Sequence, residues 1–148
     1  MGVNGGSLTL DKLDELIDTV KGGKPDLFLM SRRSRRIINK LARTAGSFLE
    51  TDRDEFGQML QFYDGIPIGD SDYITDDQTQ GTSSDCSTIY TFQMGEGALV
   101  GLTAPGGLQV ERVGSLESKD ASRTRIKWYT SLALFNAVKL ARLIGVRP

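Results

Sequence analysis

The side chains that most often carry out chemistry in proteins are scarce in this sequence. Its 148 residues include no histidine and a single cysteine, Cys86. Without histidine the chain has no Ser-His-Asp or Cys-His arrangement, and it lacks the usual imidazole metal ligand. Cys86 lies in a polar stretch with no neighbouring base to activate it, and one cysteine forms neither an internal disulfide nor a cysteine-rich zinc site.

Two short motifs resemble ligand-binding loops, but each lacks an essential part. A calcium loop that begins at Asp52 needs oxygen ligands where the chain has Phe56 and Tyr63. The glycine run Gly95–Gly101 has the wrong spacing for a dinucleotide fingerprint, and Pro105 follows where a helix should begin. We therefore predict no catalytic, cofactor-binding or metal-binding residue, and a protein that is not an enzyme.

A run of cations is the strongest local signal. No acidic residue occurs between Asp26 and Glu50, whereas six basic residues do: Arg32, Arg33, Arg35, Arg36, Lys40 and Arg43. Arginines in the first turn of a helix oppose its dipole, at a cost of about 0.3–1 kcal/mol each. Such a cost is offset if the guanidinium groups bind carboxylates or phosphates, although a solvated helix face is an equally simple interpretation.

An acidic run follows the basic one along the chain. Runs of opposite sign favour assembly of identical subunits, because DNA binding would leave the acidic run unexplained. We therefore predict inter-subunit contacts through both runs, namely Arg32, Arg33, Arg35, Arg36, Glu50, Asp52, Asp54 and Glu55. The alternative is a nucleic-acid-binding module that uses the basic helix 31–46.

The elements that must position these charges begin with a helix, a strand and a second helix. Thr9 and apolar residues at helical spacing predict a helix over 9–21. The short apolar run Leu27–Met30 predicts a buried strand, and Ser31 caps a predicted helix over 31–46. Residues 1–6 offer little to bury, so they are expected to form a loose tail.

The remainder of the chain is predicted to be rich in β-strands. The expected strands are 58–63, 66–68, 89–94, 98–102, 108–113, one long strand 124–135 and 143–146, with a helical turn at 137–142. Residues 70–87 are mostly polar and are expected to form a long loop, which is unusual in a compact domain unless it is functional.

The composition is that of a single folded globular domain. Apolar residues make up 39% and charged residues 25% of the chain, and the net charge is −1. This balance argues weakly against a dedicated nucleic-acid binder, which usually has a basic surplus. No apolar run is long enough to span a membrane, and the N-terminus does not resemble a signal peptide.

Several motifs, taken in order, resemble the tailed-bacteriophage major capsid protein family. They are Leu8–Ile17, Lys24–Asp26, Leu29–Arg33, Tyr63–Ile68, Gly95–Gly97, Ile126–Tyr129 and the pair Gly145 and Val146. The resemblance covers nearly the whole chain, from about Ser7 to Pro148. Members of that family are about twice as long, so the chain is expected to correspond to the C-terminal portion of a capsid protein.

The resemblance implies an α+β protein with the Hong Kong 97-like capsid fold, in which a mixed sheet is flanked by two helices. It implies an axial domain plus part of the peripheral domain. Residues 1–6 would be a disordered tail or a cloning remnant, and 7–148 a single capsid-like domain. Within it, about 7–106 would be mostly axial, and about 107–148 would complete the sheet and form the junction to the peripheral domain.

The resemblance also implies a structural role with no cofactor. Identical subunits would close into an icosahedral shell, with scaffold or portal proteins as further partners and packaged DNA contacted only non-specifically. Such a protein would be found in the virion, and in the bacterial cytoplasm during assembly, with no membrane contact. A bacterial nanocompartment shell protein shares the same fold and is the second alternative.

Overall fold

The computed structural model describes residues 1–46, 49–53, 57–115 and 119–148. Its elements are β1 (Gly6–Ser7), α1 (Leu10–Thr19), β2 (Leu27–Met30), α2 (Arg32–Thr44), β3 (Glu50–Arg53), β4 (Met59–Tyr63), β5 (Ile66–Asp70), β6 (Gln78–Gln80), β7 (Ser83–Phe92), β8 (Leu99–Thr103), β9 (Gln109–Ser115), β10 (Ser122–Lys127), β11 (Thr130–Leu134), a 3-10 turn (Ala137–Lys139) and β12 (Leu140–Arg147). None of the helices described is long and apolar enough to cross a membrane.

One mixed sheet organises the main body of the molecule. Its strand order is β1-β12-β7-β2-β5-β4-β3, and β6 pairs with β7 beside this path. β2 runs parallel to β5 and antiparallel to β7, so the short apolar strand lies in the middle of the sheet. The prediction of an α+β fold with a mixed sheet and two helices is confirmed.

Both helices cover the same face of this sheet. Phe28 lies opposite Ile68 on one side and Thr91 on the other, so these side chains share a face and are buried. α1 reaches this face where the Tyr63 hydroxyl donates to Asp14 at 2.7 Å. Burial raises the pKa of Tyr63, and the hydrogen bond to the Asp14 carboxylate raises it further. The residues buried together form one core: Leu8, Leu13, Leu16, Val20, Phe28, Met30, Ile38, Ile66, Ile68, Ile89, Ala141 and Val146.

The helix boundaries follow from local capping, as the sequence predicts. Thr9 accepts a hydrogen bond from the backbone N–H of Lys12, and Ser31 accepts one from that of Ser34. Gly22 and Gly23 have φ values of 89° and 128°, which other residues rarely adopt, so α1 cannot continue through them. The predicted helices 9–21 and 31–46 are therefore confirmed to within a few residues.

The strand predicted over 124–135 is wrong in one respect, because it is two strands. β10 ends at Lys127 and β11 begins at Thr130, with Trp128 and Tyr129 between them. The facing chain is interrupted by the turn between β8 and β9, and the Ala104 N–H donates to the Tyr129 carbonyl at 3.1 Å across the break. The helical turn predicted at 137–142 is shorter too, since β12 already begins at Leu140.

The polar stretch 70–87 is only partly a loop. β6 lies within it, and β7 begins at Ser83, well before the predicted start at Ile89. The first residues of β7 have short polar side chains, and for this reason the sequence did not predict them as a strand. In the structure Ser87 and Thr88 are buried and hydrogen-bonded. A buried strand of serine and threonine lacks the apolar alternation on which strand prediction depends.

The segment expected to form a loose tail lies against the sheet. Gly6 pairs in parallel with Val146 in β12, and Met1 packs against the core. The Gly5 N–H donates to the Gly2 carbonyl at 3.0 Å, which turns the chain back towards the sheet. Backbone pairing holds this segment, so its lack of apolar side chains was a poor guide to its position.

A two-part ribbon extends the chain between β7 and β12. Among the described residues, β8 is paired with the strand β11 and β9 with the strand β10, in both cases antiparallel, and Leu99 also bridges to Met94. We refer to residues 99–134 as the ribbon. At its base the Phe135 N–H donates to the Ala98 carbonyl at 3.0 Å, which extends the pairing of β8 and β11 by one position.

Candidate inter-subunit contact surfaces

Two of the predicted contact residues, Arg32 and Arg35, form ion pairs within their own chain. Arg32 Nη2 lies 3.0 Å from a carboxylate oxygen of Asp72 and its Nε lies 3.4 Å from Asp70. Arg35 Nη1 lies 3.0 Å from the other oxygen of Asp70. These carboxylates place negative charge beside the first turn of α2, where the helix dipole favours it.

Arg33 is also engaged within the chain, and it is more buried than its neighbours. Its Nη2 donates to the Asp85 carbonyl at 2.6 Å. Its Nε lies 3.3 Å from Asp76 Oδ1 but forms no hydrogen bond, so this contact is electrostatic. The Ser31 hydroxyl donates to the same Asp76 oxygen at 2.6 Å, which ties the cap of α2 to the facing segment.

Arg36 is the one predicted contact arginine that has no carboxylate partner among the described residues. It is exposed and lines a groove of about 490 Å³ between α2 and strands β3 to β5. Lys40 and Arg43 follow it on the exposed side of the same helix. We refer to these three exposed cations, Arg36, Lys40 and Arg43, as the α2 stripe. They form no ion pair with any described residue, so they are available to bind another molecule.

The two predicted acidic partners that the structure describes lie on the edge strand β3 and form no ion pair with the described arginines of α2. Glu50 and Asp52 are exposed there, and Asp52 accepts a hydrogen bond from the neighbouring Arg53 N–H at 2.7 Å. Asp54 and Glu55 lie outside the described residues. The role of all eight charged residues in contacts between subunits stays a prediction.

The ribbon carries most of the large apolar side chains that the described structure exposes. Trp128 is 61% exposed and Leu132 is 73% exposed. Among the described residues, those on the ribbon and at its base are Leu102, Leu108, Val110, Val113, Ile126, Trp128, Tyr129, Leu132, Leu134 and Phe135. Apolar side chains concentrated in this way usually mark an interaction surface.

Cross-strand pairs give the outer part of the ribbon two different faces. Val110 lies directly opposite Ile126, which places both on one face. Glu111 and Lys127 lie on the other face and form an ion pair at 2.6 Å. Glu111 also accepts a hydrogen bond from Lys127 in this ion pair, and that bond holds the pKa of the Glu111 carboxyl below its usual value. One face is therefore suited to apolar contact and the other to water.

The ribbon also has free backbone edges. Among the described residues each of its strands has one neighbouring strand, so about half of the backbone donors and acceptors of each strand lie on an unpaired edge. A two-stranded ribbon is marginally stable in water, and its open edges can pair with further strands. At the bend, Leu102, Trp128 and Tyr129 help to line an open cleft of about 470 Å³.

Sequence reasoning missed the most informative parts of these surfaces. The intrachain partners of the arginines, Asp70, Asp72 and Asp76, were assigned to a polar loop and not linked to α2. The ribbon had a detectable signal, because Arg125, Ile126, Lys127 and Trp128 alternate in polarity. That alternation predicted a strand but not the absence of a covering layer.

No cluster of potential metal ligands occurs in the described ranges. No protein-family model matches the chain, and neither does any curated protein. The structure is similar to a chain of the holo-SrpI encapsulin complex from Synechococcus elongatus, solved by cryo-electron microscopy, with a TM-score of 0.75 and 24% sequence identity. The match covers 96% of this chain and 51% of that one, so the present chain spans about half of its length. The chain has the Hong Kong 97-like fold.

Proposed function

We propose that this protein is a structural subunit of a closed shell built from many copies of one chain with the Hong Kong 97-like fold. The observation that carries the proposal is the ribbon, which exposes a row of apolar side chains and two unpaired backbone edges. The similarity to a chain of an encapsulin complex supports it, because encapsulins are shell assemblies with this fold.

The ribbon supports assembly for an energetic reason. Burying apolar surface yields roughly 25 cal/mol per Å², so the exposed leucine, isoleucine and aromatic side chains gain free energy when another subunit covers them. Backbone groups along the edges gain partners in the same step if a strand of that subunit aligns with them. In a monomer the apolar side chains stay exposed and the edge backbone groups have no strand to pair with, so neither contribution to the free energy is obtained.

The two parts of the molecule suggest a division of roles within the shell. We assign the main sheet with α1 and α2 to the axial domain, which clusters around symmetry axes. We assign the ribbon to the peripheral domain, which links neighbouring groups of subunits. We set the boundary of this proposal at about 99 and 135 in place of the 106 expected from the sequence, because β12 returns afterwards to pair with β7 in the main sheet.

Two kinds of shell fit this fold, and we favour a bacterial nanocompartment in the cytoplasm. The structural similarity to an encapsulin chain supports that choice. A phage or prophage capsid is the second candidate, supported by motifs such as Tyr63–Ile68. Particles isolated from the native host distinguish them, since a nanocompartment encloses protein cargo whereas a capsid encloses nuclease-protected DNA.

A nucleic-acid-binding module using α2 receives less support. Arg32, Arg33 and Arg35 all contact carboxylates or carbonyl groups of their own chain, which reduces the positive charge that α2 offers to phosphates. Such a module would show affinity for duplex DNA that falls steeply with salt, because bound counterions are released. We expect a weak, shallow salt dependence instead.

The test of shell assembly compares the ribbon with another exposed apolar position. Sedimentation velocity and negative-stain microscopy of the 148-residue chain should show concentration-dependent oligomers or shells. Replacing Ile126 and Leu132 with threonine should weaken association by tenfold or more, about 1.4 kcal/mol. Val3→Thr, at an apolar position that is 85% exposed and lies outside the ribbon, is the matched control and should associate normally. A chain that remains monomeric at all concentrations would contradict the proposal.

A further inference from the structure

One aromatic side chain of the main body is almost fully exposed. Tyr73 is 96% exposed and lies in the segment 70–77 that connects β5 to β6. Its ring therefore contributes nothing to the folded core. An aromatic side chain held entirely in water is costly for a monomer, and tyrosine is among the residues that most often dominate binding energy at interfaces.

The segment that carries Tyr73 is held in place from both ends. Ser71 N–H donates to the Met30 carbonyl at 2.9 Å, and the Ser87 hydroxyl donates to the Thr75 carbonyl at 3.2 Å. Asp70 and Asp72 are fixed by ion pairs to α2, as described above, and Asp76 is fixed by the α2 cap. We refer to residues 70–77 as the latched loop.

This fixation prepares the latched loop for binding. Ordering a flexible loop at an interface costs free energy, and a loop that is already ordered avoids most of that cost. The segment contains no glycine, and the contacts to Ser31, Arg32, Arg33 and Arg35 bind it to a helix and to the end of β2. Tyr73 is thus presented on a rigid support.

Charge indicates what the latched loop contacts. It contains four carboxylates, and Asp77 is exposed with no ion-pair partner among the described residues. The α2 stripe has the opposite charge and also has no carboxylate partner there. Arginine side chains stack favourably on tyrosine rings and pair with carboxylates, so the two surfaces are complementary in both respects.

Within one chain the latched loop meets the α2 stripe at its first residue, since Arg36 and Asp70 line the same groove. The latched loop is attached to the N-terminal turn of α2, through Arg32, Arg33 and Arg35. Arg43 lies about 16 Å further along the same helix, given a rise of 1.5 Å per residue. Arg43 is therefore out of reach of its own latched loop and is available to the latched loop of another molecule.

We propose that the latched loop of one copy, led by Tyr73, docks on the α2 stripe of a second copy of this chain. The inference rests on the proposed shell function and names one contact within it. Tyr73 lies against the basic side chains, and Asp77 pairs with a cation of the stripe.

The first experiment removes the aromatic ring. Tyr73→Ser should weaken self-association by about tenfold or more, the effect of losing a major interface side chain, while the melting temperature stays unchanged. The matched control is Val3→Ser, since Val3 is 85% exposed and lies outside the latched loop and the stripe. Association of Tyr73→Ser at the level of the unmodified chain would overturn the proposal.

The second experiment identifies the partner surface by exchanging charges. Asp77→Lys and Arg43→Glu should each weaken association, and the double variant should recover most of the loss because the pair is restored in reversed sign. If the double variant associates no more strongly than the single variant with the weaker association, the assignment of the partner surface to the α2 stripe is wrong.

The outcomes separate this inference from the proposed function. If the unmodified chain assembles and Tyr73→Ser assembles equally well, the latched-loop contact is wrong and the shell function stands. If the unmodified chain does not associate at all, both are wrong.

Discussion

Phe28 and Phe135 are the same residue type in opposite environments. Phe28 is 1% exposed at the centre of the main sheet, with its ring centroid 6.3 Å from that of Tyr63 in an edge-to-face arrangement. Phe135 is 65% exposed at the base of the ribbon. At the scale of single residues, position decides whether an aromatic ring stabilises the fold or remains available to another molecule.

This contrast yields a stability prediction. Phe28→Ala should lower the free energy of unfolding by about 3–5 kcal/mol, because it removes a buried ring and leaves a cavity. Phe135→Ala, the matched control, should change it by less than about 0.5 kcal/mol in the dilute chain. Urea denaturation monitored by tryptophan fluorescence and circular dichroism measures both. Equal losses for the two variants would mean that the ribbon base is buried in the monomer.

At the scale of elements, the N-terminal turn of α2 contains arginines in a place where positive charge is unfavourable, and another segment of the chain compensates for them. Its arginines oppose the helix dipole, and no acidic residue lies in the turn itself. The compensating carboxylates, Asp70, Asp72 and Asp76, come from the latched loop. The helix and the loop therefore stabilise each other.

The mutual dependence of α2 and the latched loop can be measured. Asp76→Ala removes the acceptor of the Ser31 hydroxyl and the carboxylate beside the buried Arg33 Nε, so it should cost about 1 kcal/mol or more. It should also speed amide hydrogen exchange within 71–77. Asp77→Ala, which removes an exposed neighbouring carboxylate, is the control. If both variants were equally stable and equally protected, the latch would have no energetic role.

At the scale of the whole molecule, two parts differ in how much of their backbone is covered. β7 lies inside the main sheet with hydrogen-bonded neighbours on both sides, while each ribbon strand has one. Local opening requires less free energy where few buried contacts must be broken. The ribbon is thus the part of the dilute chain whose stability should depend most on a second molecule.

Hydrogen exchange provides the corresponding test. In dilute solution, amides of β9 and β10 should exchange orders of magnitude faster than those of β7, because β7 opens only with the whole fold. Raising the protein concentration into the range of association should slow exchange in the ribbon and leave β7 unchanged. Ribbon protection that is independent of concentration would contradict a role in assembly.

Local patterns in the sequence predicted several elements well. Thr9 and Ser31 cap the two helices as expected, because capping depends on residues within one turn. Leu27–Met30 is the buried central strand. Short-range signals failed where burial was achieved by hydroxyl groups, as at Ser87 and Thr88, or where a strand bends at Trp128.

The sequence by itself therefore determined the helices, the central strand and the scarcity of residues suited to catalysis, since each depends on composition or on neighbours a few positions apart. Only the tertiary structure decided which charged side chains form ion pairs within the chain. The carboxylates that pair with Arg32 and Arg35 lie between 35 and 40 residues further along, and no local pattern specifies such a pairing. The tertiary structure also decided that no described element covers the ribbon, because the exposure of a side chain depends on how the whole chain packs.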